Sequence, residues 1–310
     1  MKKVFIDGKA GTTGLRIFER LENRDDVSLI VLSEEERKNT EARKKALNSC
    51  DIAFLCLPDD AAREAVSLID NPDVVVIDAS TAHRTVEGWT YGFPELSERF
   101  EESIKISKRI ANPGCHASGF IALVYPLVEA GVLSKDVLLS CHSITGYSGG
   151  GKKMIADYDS NDRDVLLDFP RQYGIGQMHK HLKEMKYITG LNDAPVFSPI
   201  VSDFYSGMAV TVPLFAKNLN EGYTIEDVKR ILKEKYTGDI VKYSENVDDG
   251  GFLSAGILAQ KDSMIVTVCG NEERFVLVAL YDNLGKGASG AAVECMNIVM
   301  GERPEKGLII

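Results

Sequence analysis

The sequence predicts an α/β protein in two parts: a doubly wound parallel sheet with helices on both faces, then an α+β part whose sheet is mainly antiparallel. The first observation is a rhythm. Short β-branched runs alternate with helical segments through the first third, as KVFID, GLRIFERLE, VSLIVLS, RKKALNS, DIAFLCLP, DAAREAVSLI and DVVVIDAS, which is the order of repeated βαβ units. The second is a change in that rhythm after about residue 115, where Gly-rich polar stretches such as SITGYSGGGKK give way to MIVTVCGN and FVLVALYDN on either side of NEER, an antiparallel pair around a short turn. At 310 residues the chain is long enough for two cores.

Within the first part, continuous apolar runs such as VVVID suit strands buried on both faces. In the second, TIEDVKRILKEKY reads as a surface helix capped by Thr224, with Val228, Ile231, Leu232 and Tyr236 on one face. GASGAAVECMNIVMG reads as a closing helix that packs back on the first part.

Composition bounds the partners. A formal net charge of -10 argues against nucleic acid or an anionic membrane, and the longest apolar runs fall far short of the roughly 20 residues of a membrane helix. The six cysteines, at 50, 56, 115, 141, 269 and 295, include no CxxC pair. Several lie in apolar runs where Cys acts as a small hydrophobe, so a reduced, cytoplasmic protein and a small-molecule ligand are expected.

KVFID runs directly into Gly8, Gly11, Thr12, Thr13 and Gly14 and then a helix. Small residues there let backbone N–H groups approach a pyrophosphate at a helix N-terminus. The GxxGxxG spacing is a variant, and a tight structural turn also explains a lone triplet; its place after the first strand favours a dinucleotide. The second strand ends at Ser33 instead of the acidic residue that receives the ribose of NAD, and Arg37 and Lys38 follow, able to meet a 2′-phosphate. NADP is therefore expected over NAD, although Glu34, Glu35 and Glu36 would repel that phosphate if they pointed inward.

In Asn112-Pro113-Gly114-Cys115-His116 a cysteine follows a Pro-Gly breaker and precedes the apolar helix GFIALVYPLVEA. A helix N-terminus stabilises a thiolate, so Cys115 is the candidate nucleophile, with a buried inert thiol as the alternative. Of five histidines, His179 and His181 form a pair in QMHKHLKEM, with both rings on one face if the segment is extended. His179 is the candidate acid/base and His181 a candidate substrate contact; no Cys/His cluster suggests a metal. Arg84, Lys152 and Arg171 are candidate partners for a phosphate, Arg84 and Lys152 ahead because they adjoin a strand end and a Gly-rich loop.

Taken together, FIDGKAGTTGL, LCLPDDAAREAVSLI, VIDASTAHR, GWTYGFPEL, NPGCHASG, GYSGGGKKMI, HKH and DNLGKGASGAA resemble the short form of the N-acetyl-gamma-glutamyl-phosphate reductase family, a group related to aspartate-semialdehyde and glyceraldehyde-3-phosphate dehydrogenases. The resemblance implies a Rossmann-type NADP-binding domain over 1–114, completed by a C-terminal helix over 285–310, and a catalytic and oligomerisation domain over 115–284. It carries the nucleophile onto Cys115 and the acid/base onto His179, and implies that Ser80, Ser148, Gly149 and Asn283 lie near the nicotinamide. It also implies a homodimer or homotetramer that reduces an acyl phosphate in arginine biosynthesis, releasing inorganic phosphate. The long form resembles HxHxPE where this chain has Leu182, Lys183 and Glu184 after His181, which leaves the roles of His181 and Glu184 open. The alternatives are a reductase of aspartyl or N-acetyl-aminoadipyl phosphate, and an NADP-binding redox sensor that oxidises Cys115.

Overall fold

The β-branched runs of the first third become β1 (Lys2–Asp7), β2 (Val27–Ile30), β3 (Ile52–Leu55), β4 (Val75–Asp78), β5 (Thr90–Tyr91) and β6 (Arg109–Ala111), with α1 (Thr12–Leu21), α2 (Thr40–Ser49), α3 (Asp59–Ser67) and α4 (Glu98–Ile106) between them. In the computed structural model, which describes residues 1–310, these strands form one parallel sheet in the order β2-β1-β3-β4-β6-β5.

Strand periodicity decides how the sheet is covered, because successive side chains leave opposite faces. Val4, Ile6, Phe54, Val75 and Ile77 pack on one face with Ile17 and Leu21 of α1, Ile104 of α4, and Val293, Met296 and Ile298 of the C-terminal helix Gly290–Met300. Phe5, Ala53, Leu55, Val74 and Val76 pack on the other with Ala46 and Leu47 of α2 and Ala65 of α3. Both faces are thus buried, as the unbroken apolar runs require, and each large apolar side chain so buried contributes roughly 1.5–3 kcal/mol.

The rest of the chain supplies α5 (Cys115–Glu129), β7 (Ser140–Gly146), α6 (Gly151–Asp159), β8 (Arg171–Gln172), α7 (His181–Thr189), β9 (Val196–Ser202), β10 (Met208–Phe215), α8 (Ile225–Lys235), β11 (Val241–Tyr243), β12 (Met264–Gly270) and β13 (Arg274–Tyr281). Its sheet runs β11-β12-β13-β10-β7-β9-β8. Pairing is antiparallel except between β7 and β9 and between β11 and β12, so the expected mainly antiparallel sheet is present. Against it lies α5, with almost every side chain from His116 to Leu127 buried. Gly119 permits the contact, since a Cβ there would stand 2.7 Å from both Val210 Cβ and the Tyr281 hydroxyl. The Thr224 and Asp227 side chains close a capping box on α8, and Tyr236 beyond its end donates to the Ala122 carbonyl at 2.7 Å.

The chain divides into two compact units, residues 1–113 with 288–308 and residues 114–287 with 309–310. The divisions fall at 113/114 and 287/288. The last two residues join the second unit because Ile309 N–H donates to Asp262 at 2.9 Å and its carbonyl accepts from the Asp262 N–H at 2.6 Å.

Candidate functional site

In the first unit the site grows from a divergence of strands. Lys2–Phe5 of β1 pair with Val27–Ile30 of β2, and the pairing stops there; the strand read as VSLIVLS is therefore shorter, ending at Ile30. Beyond it β1 runs on beside β3 to Asp7 and the glycine loop, and these residues with Val31, Leu32 and Ser33 line a cavity of about 730 Å³. Its lining includes Asp7, Gly8, Lys9, Ser33, Glu34, Arg37, Lys38 and Arg43.

The glycines are required by their surroundings. Gly8 has φ +87°, and a Cβ on it would lie 2.3 Å from the Cys56 carbonyl oxygen; one on Gly14 would lie 2.5 Å from the Gly8 oxygen. The Gly11 N–H closes the turn onto the Gly8 carbonyl at 2.9 Å, and α1 begins at Thr12 with no side chain capping its first N–H groups. That leaves a bare helix N-terminus, the arrangement that accepts a phosphate. Gly8→Ala is expected to lower unfolding stability by at least about 2 kcal/mol, strain and overlap acting together, read from the urea midpoint. An unchanged midpoint would show that the loop relaxes.

The charges around Ser33 are arranged locally. Ser33 N–H donates to Glu36 at 2.9 Å and its hydroxyl accepts the Glu36 N–H at 3.2 Å, which turns Glu36 into a local cap. Glu34 forms an ion pair with Arg37. Arg43, not singled out in the sequence, donates to buried Asp7 at 2.9 Å. At the end of β4 the buried Asp78 carboxylate accepts from the Ser80 hydroxyl at 2.7 Å and meets His83 Nδ1 at 2.6 Å. Arg84 is no surface cation: it is 8% exposed and donates to the carbonyls of Asn112 at 2.9 Å and Ala79 at 3.1 Å.

In the second unit Cys115 is the first residue of α5 and partly exposed. Two bonds fix its backbone. The Gly114 N–H donates to the buried Glu184 carboxylate at 2.8 Å, and the Tyr281 hydroxyl donates to the Cys115 carbonyl. The next residue, His116, belongs to a cluster of three imidazoles with His179 and His181, ring centroids 4.7 to 5.7 Å apart, beside Tyr173 and Phe197. The histidine segment is not extended. His181 starts α7, and its N–H donates to His179 Nδ1 at 3.2 Å, so the chain bends and the rings still meet.

Burial, and then the charge of Lys180, hold the half-buried His179 below the ordinary imidazole value. The other thiols differ in setting: burial pushes Cys50 up to about 12 and raises Cys56 and Cys141 further, which keeps them protonated and inert. Ser148 is fully buried and accepts from Asn283 at 3.0 Å; Asn283 in turn accepts the Gly207 N–H at 3.0 Å, and Gly149 lies against it. Lys152 stands exposed on α6, and the exposed Arg171 donates to the Tyr158 hydroxyl at 3.2 Å.

Two family models match: "Semialdehyde dehydrogenase, NAD binding domain" over residues 3–104 and "Semialdehyde dehydrogenase, dimerisation domain" over residues 115–283. The N-acetyl-gamma-glutamyl-phosphate reductase 2 of a Nostoc species is 44% identical, covering 99% of each chain, and the N-acetyl-gamma-glutamyl-phosphate reductase of Brucella ovis is 45% identical, covering 97% of this chain and 99% of its own. The chain belongs to the N-acetyl-gamma-glutamyl-phosphate reductase family. Among solved structures, an aspartate semialdehyde dehydrogenase II of Vibrio cholerae shares the fold, with TM-score 0.72 at 18% identity over 97% of this chain and 99% of that one. One from Candida albicans, solved with NADP, aligns with TM-score 0.65 at 16% identity over 97% and 98%. No helix is long and apolar enough to cross a membrane.

For this member of the reductase family the structure adds residues that sequence reasoning did not single out: Arg43, His83, Ser143, Tyr173 and Tyr281. Arg43, Ser143, Tyr173 and Tyr281 are remote in sequence from the motif each supports, so no local spacing reveals them, whereas His83 lies five residues from Asp78. His116 stood in the Cys115 motif without a role. It is buried, and burial followed by the charge of His179 lowers it from 6.5 to about 3.

That shift has a consequence for stability. Since the folded value is depressed, the unfolded chain takes the proton first as pH falls below 6.5, and stability drops by up to about 1.4 kcal/mol per pH unit from near pH 6 towards pH 3. Urea unfolding at pH 7 and pH 5 is expected to show a smaller pH dependence in His116→Gln than in wild type. Equal slopes would mean that other groups govern the acid limb.

Proposed function

We propose that this protein reduces N-acetyl-gamma-glutamyl phosphate to N-acetylglutamate semialdehyde and phosphate, with NADPH, through a thioester on Cys115. The observation that carries the reading is Cys115 at the first turn of a buried helix, with His179 edge-on to the ring of the following residue, His116, in a chain 44% identical to reductases of that name.

The glycine cradle fits a dinucleotide, because Gly8 and Gly14 allow a turn too tight for any Cβ, and that turn leads into a helix N-terminus with no side-chain cap. Gly8, Gly11, Thr12, Thr13 and Gly14 would hold the pyrophosphate, and Ser33, Arg37 and Lys38 the ribose and its 2′-phosphate. The absence of an acidic side chain at position 33 and the two cations lining the cavity support NADP. The Glu34 pairing with Arg37 yields to the phosphate. Ser80, Ser148, Gly149 and Asn283 complete the cofactor contacts on the strength of the family resemblance. When bound, the reduced nicotinamide supplies a hydride.

The Cys115 thiolate attacks the acyl carbon, forming a C–S bond while the carbon–oxygen bond to phosphate breaks and phosphate leaves with the electron pair. Arg84, Lys152 and His181 are the proposed contacts for the acyl phosphate. After reduction of the thioester, His179 gives a proton to the adduct oxygen and takes it back as the C–S bond breaks, with the sulfur retaining the pair. The exposed apolar side chains Val165, Leu166, Phe169, Ile175 and Met178, together with the dimerisation description of residues 115–283, support a homodimer or homotetramer.

The test is phosphate-dependent reduction of NADP, with NAD in parallel, using N-acetylglutamate semialdehyde and aspartate semialdehyde. Faster turnover of the first aldehyde with NADP is expected. Preference for the second would change the substrate, preference for NAD the cofactor, and no turnover at all would remove the reaction.

A further inference from the structure

We infer that the Tyr173 hydroxyl is a further catalytic group, a hydrogen-bond donor to the oxygen anion formed when Cys115 adds to a carbonyl, and that Ser143 and His116 position it. The inference rests on the reading of Cys115 as nucleophile.

The argument is one of donors and acceptors. His116 Nδ1 lies 2.6 Å from the Ser143 hydroxyl and Nε2 lies 2.6 Å from the Tyr173 hydroxyl. The His116 ring is buried and neutral, so it carries one N–H and one bare nitrogen. Ser143, on β7, is 0% exposed, and its hydroxyl has no bond in the structure other than the one to Nδ1. Were Nδ1 the donor, the Ser143 proton would be buried without an acceptor, a cost that proteins avoid. Ser143 therefore donates to Nδ1, the ring proton sits on Nε2, and Nε2–H donates to the Tyr173 oxygen.

The consequence falls on Tyr173. Its oxygen is occupied as an acceptor, and its own proton is directed away from His116 and left for another group. Tyr173 is half-buried, its ring centroid lies 5.9 Å from that of His179, and the charge of Cys115 adds to burial in raising its hydroxyl. The phenol thus stays protonated and, held on the ring of the residue that follows Cys115, offers a donor where negative charge develops. When the C–S bond forms, the carbonyl electron pair moves onto oxygen, and that oxygen accepts the Tyr173 hydrogen bond without proton transfer; the pair returns when the adduct collapses. The relay Ser143, His116, Tyr173 is assembled from β7, α5 and β8–α7, three segments that the sequence keeps far apart.

The experiment is a double-mutant cycle on phosphate-dependent NADP reduction with N-acetylglutamate semialdehyde. Tyr173→Phe is expected to lower kcat/KM about a hundredfold, with the rate of Cys115 alkylation by iodoacetamide within twofold of wild type. His116→Leu is expected to lose about tenfold alone and nothing further in the Tyr173→Phe background, and His116→Gln, whose amide N–H reaches the Nε2 position, to recover part of that loss. Tyr173→Phe within twofold of wild type, or losses that simply multiply, would overturn the inference. Should His116→Leu not fold, the Tyr173→Phe and His116→Gln pair decides alone. Full turnover in Cys115→Ser would instead remove the nucleophile reading and is recognisable separately.

Discussion

Cys115→Ser is expected to lose phosphate-dependent reduction of NADP by at least about a thousandfold while binding NADPH as tightly as wild type. The two halves of that expectation come from different parts of the chain. The proposed cofactor cradle at Gly8, Ser33, Arg37 and Lys38 is built from β1, β2 and the loops after them, none of which includes position 115. Cys115 contributes a sulfur at the first turn of α5, where the helix N-terminus favours an anion. Serine keeps the backbone bonds to Glu184 and Tyr281, which involve Gly114 N–H and the residue 115 carbonyl. What it lacks is an ionisable nucleophile near neutral pH. NADPH binding is read by fluorescence titration and the thioester by intact mass after incubation with substrate. A mutant that retains more than a tenth of the activity would sink the covalent route. One that loses NADPH binding too would show a folding defect instead.

Much of this was legible in the sequence, for identifiable reasons. The doubly wound sheet announces itself because a strand buried on both faces has to be apolar at every position, as in DVVVIDAS and DIAFLCLP. The glycine loop announces itself because only Gly fits where a Cβ would strike the Cys56 carbonyl. The end of β2 was not legible. Val31 and Leu32 are as apolar as Leu29, yet the pairing of β2 with β1 stops at Ile30 while β1 runs on beside β3 to Asp7.

The geometry of the cysteine site was legible in its members and not in its bonds. Cys115 and His179 are chemically conspicuous residue types in short motifs. The bend that lets His179 and His181 meet at 4.7 Å depends on α7 beginning at His181, and no periodicity in QMHKHLKEM distinguishes that from an extended segment. Arg84 shows a second limit, since its place after a strand end gives no sign that the guanidinium is buried against two backbone carbonyls. Tertiary partners decide such cases, and they come from elsewhere in the chain.

His179→Gln is expected to reduce turnover by about 10²- to 10⁴-fold and to remove the acid limb of the pH–rate profile for semialdehyde oxidation. In that direction the ring must be neutral to take the proton from the adduct. A rate that depends on the neutral form rises with pH through the ring's pKa. Burial lowers that pKa, and the Lys180 charge lowers it further. The limb therefore lies below the ordinary imidazole range, and the enzyme is already in its active form at neutral pH. Lys180 is exposed, so Lys180→Gln removes the like charge with little effect on packing. Its acid limb is expected to move to higher pH, towards the ordinary value, by less than the whole displacement, because burial is the larger cause. Raising the salt concentration should narrow the difference between Lys180→Gln and wild type, as screening weakens the same repulsion. A limb that persists in His179→Gln, or that shifts to lower pH in Lys180→Gln, would assign the proton transfer to another group.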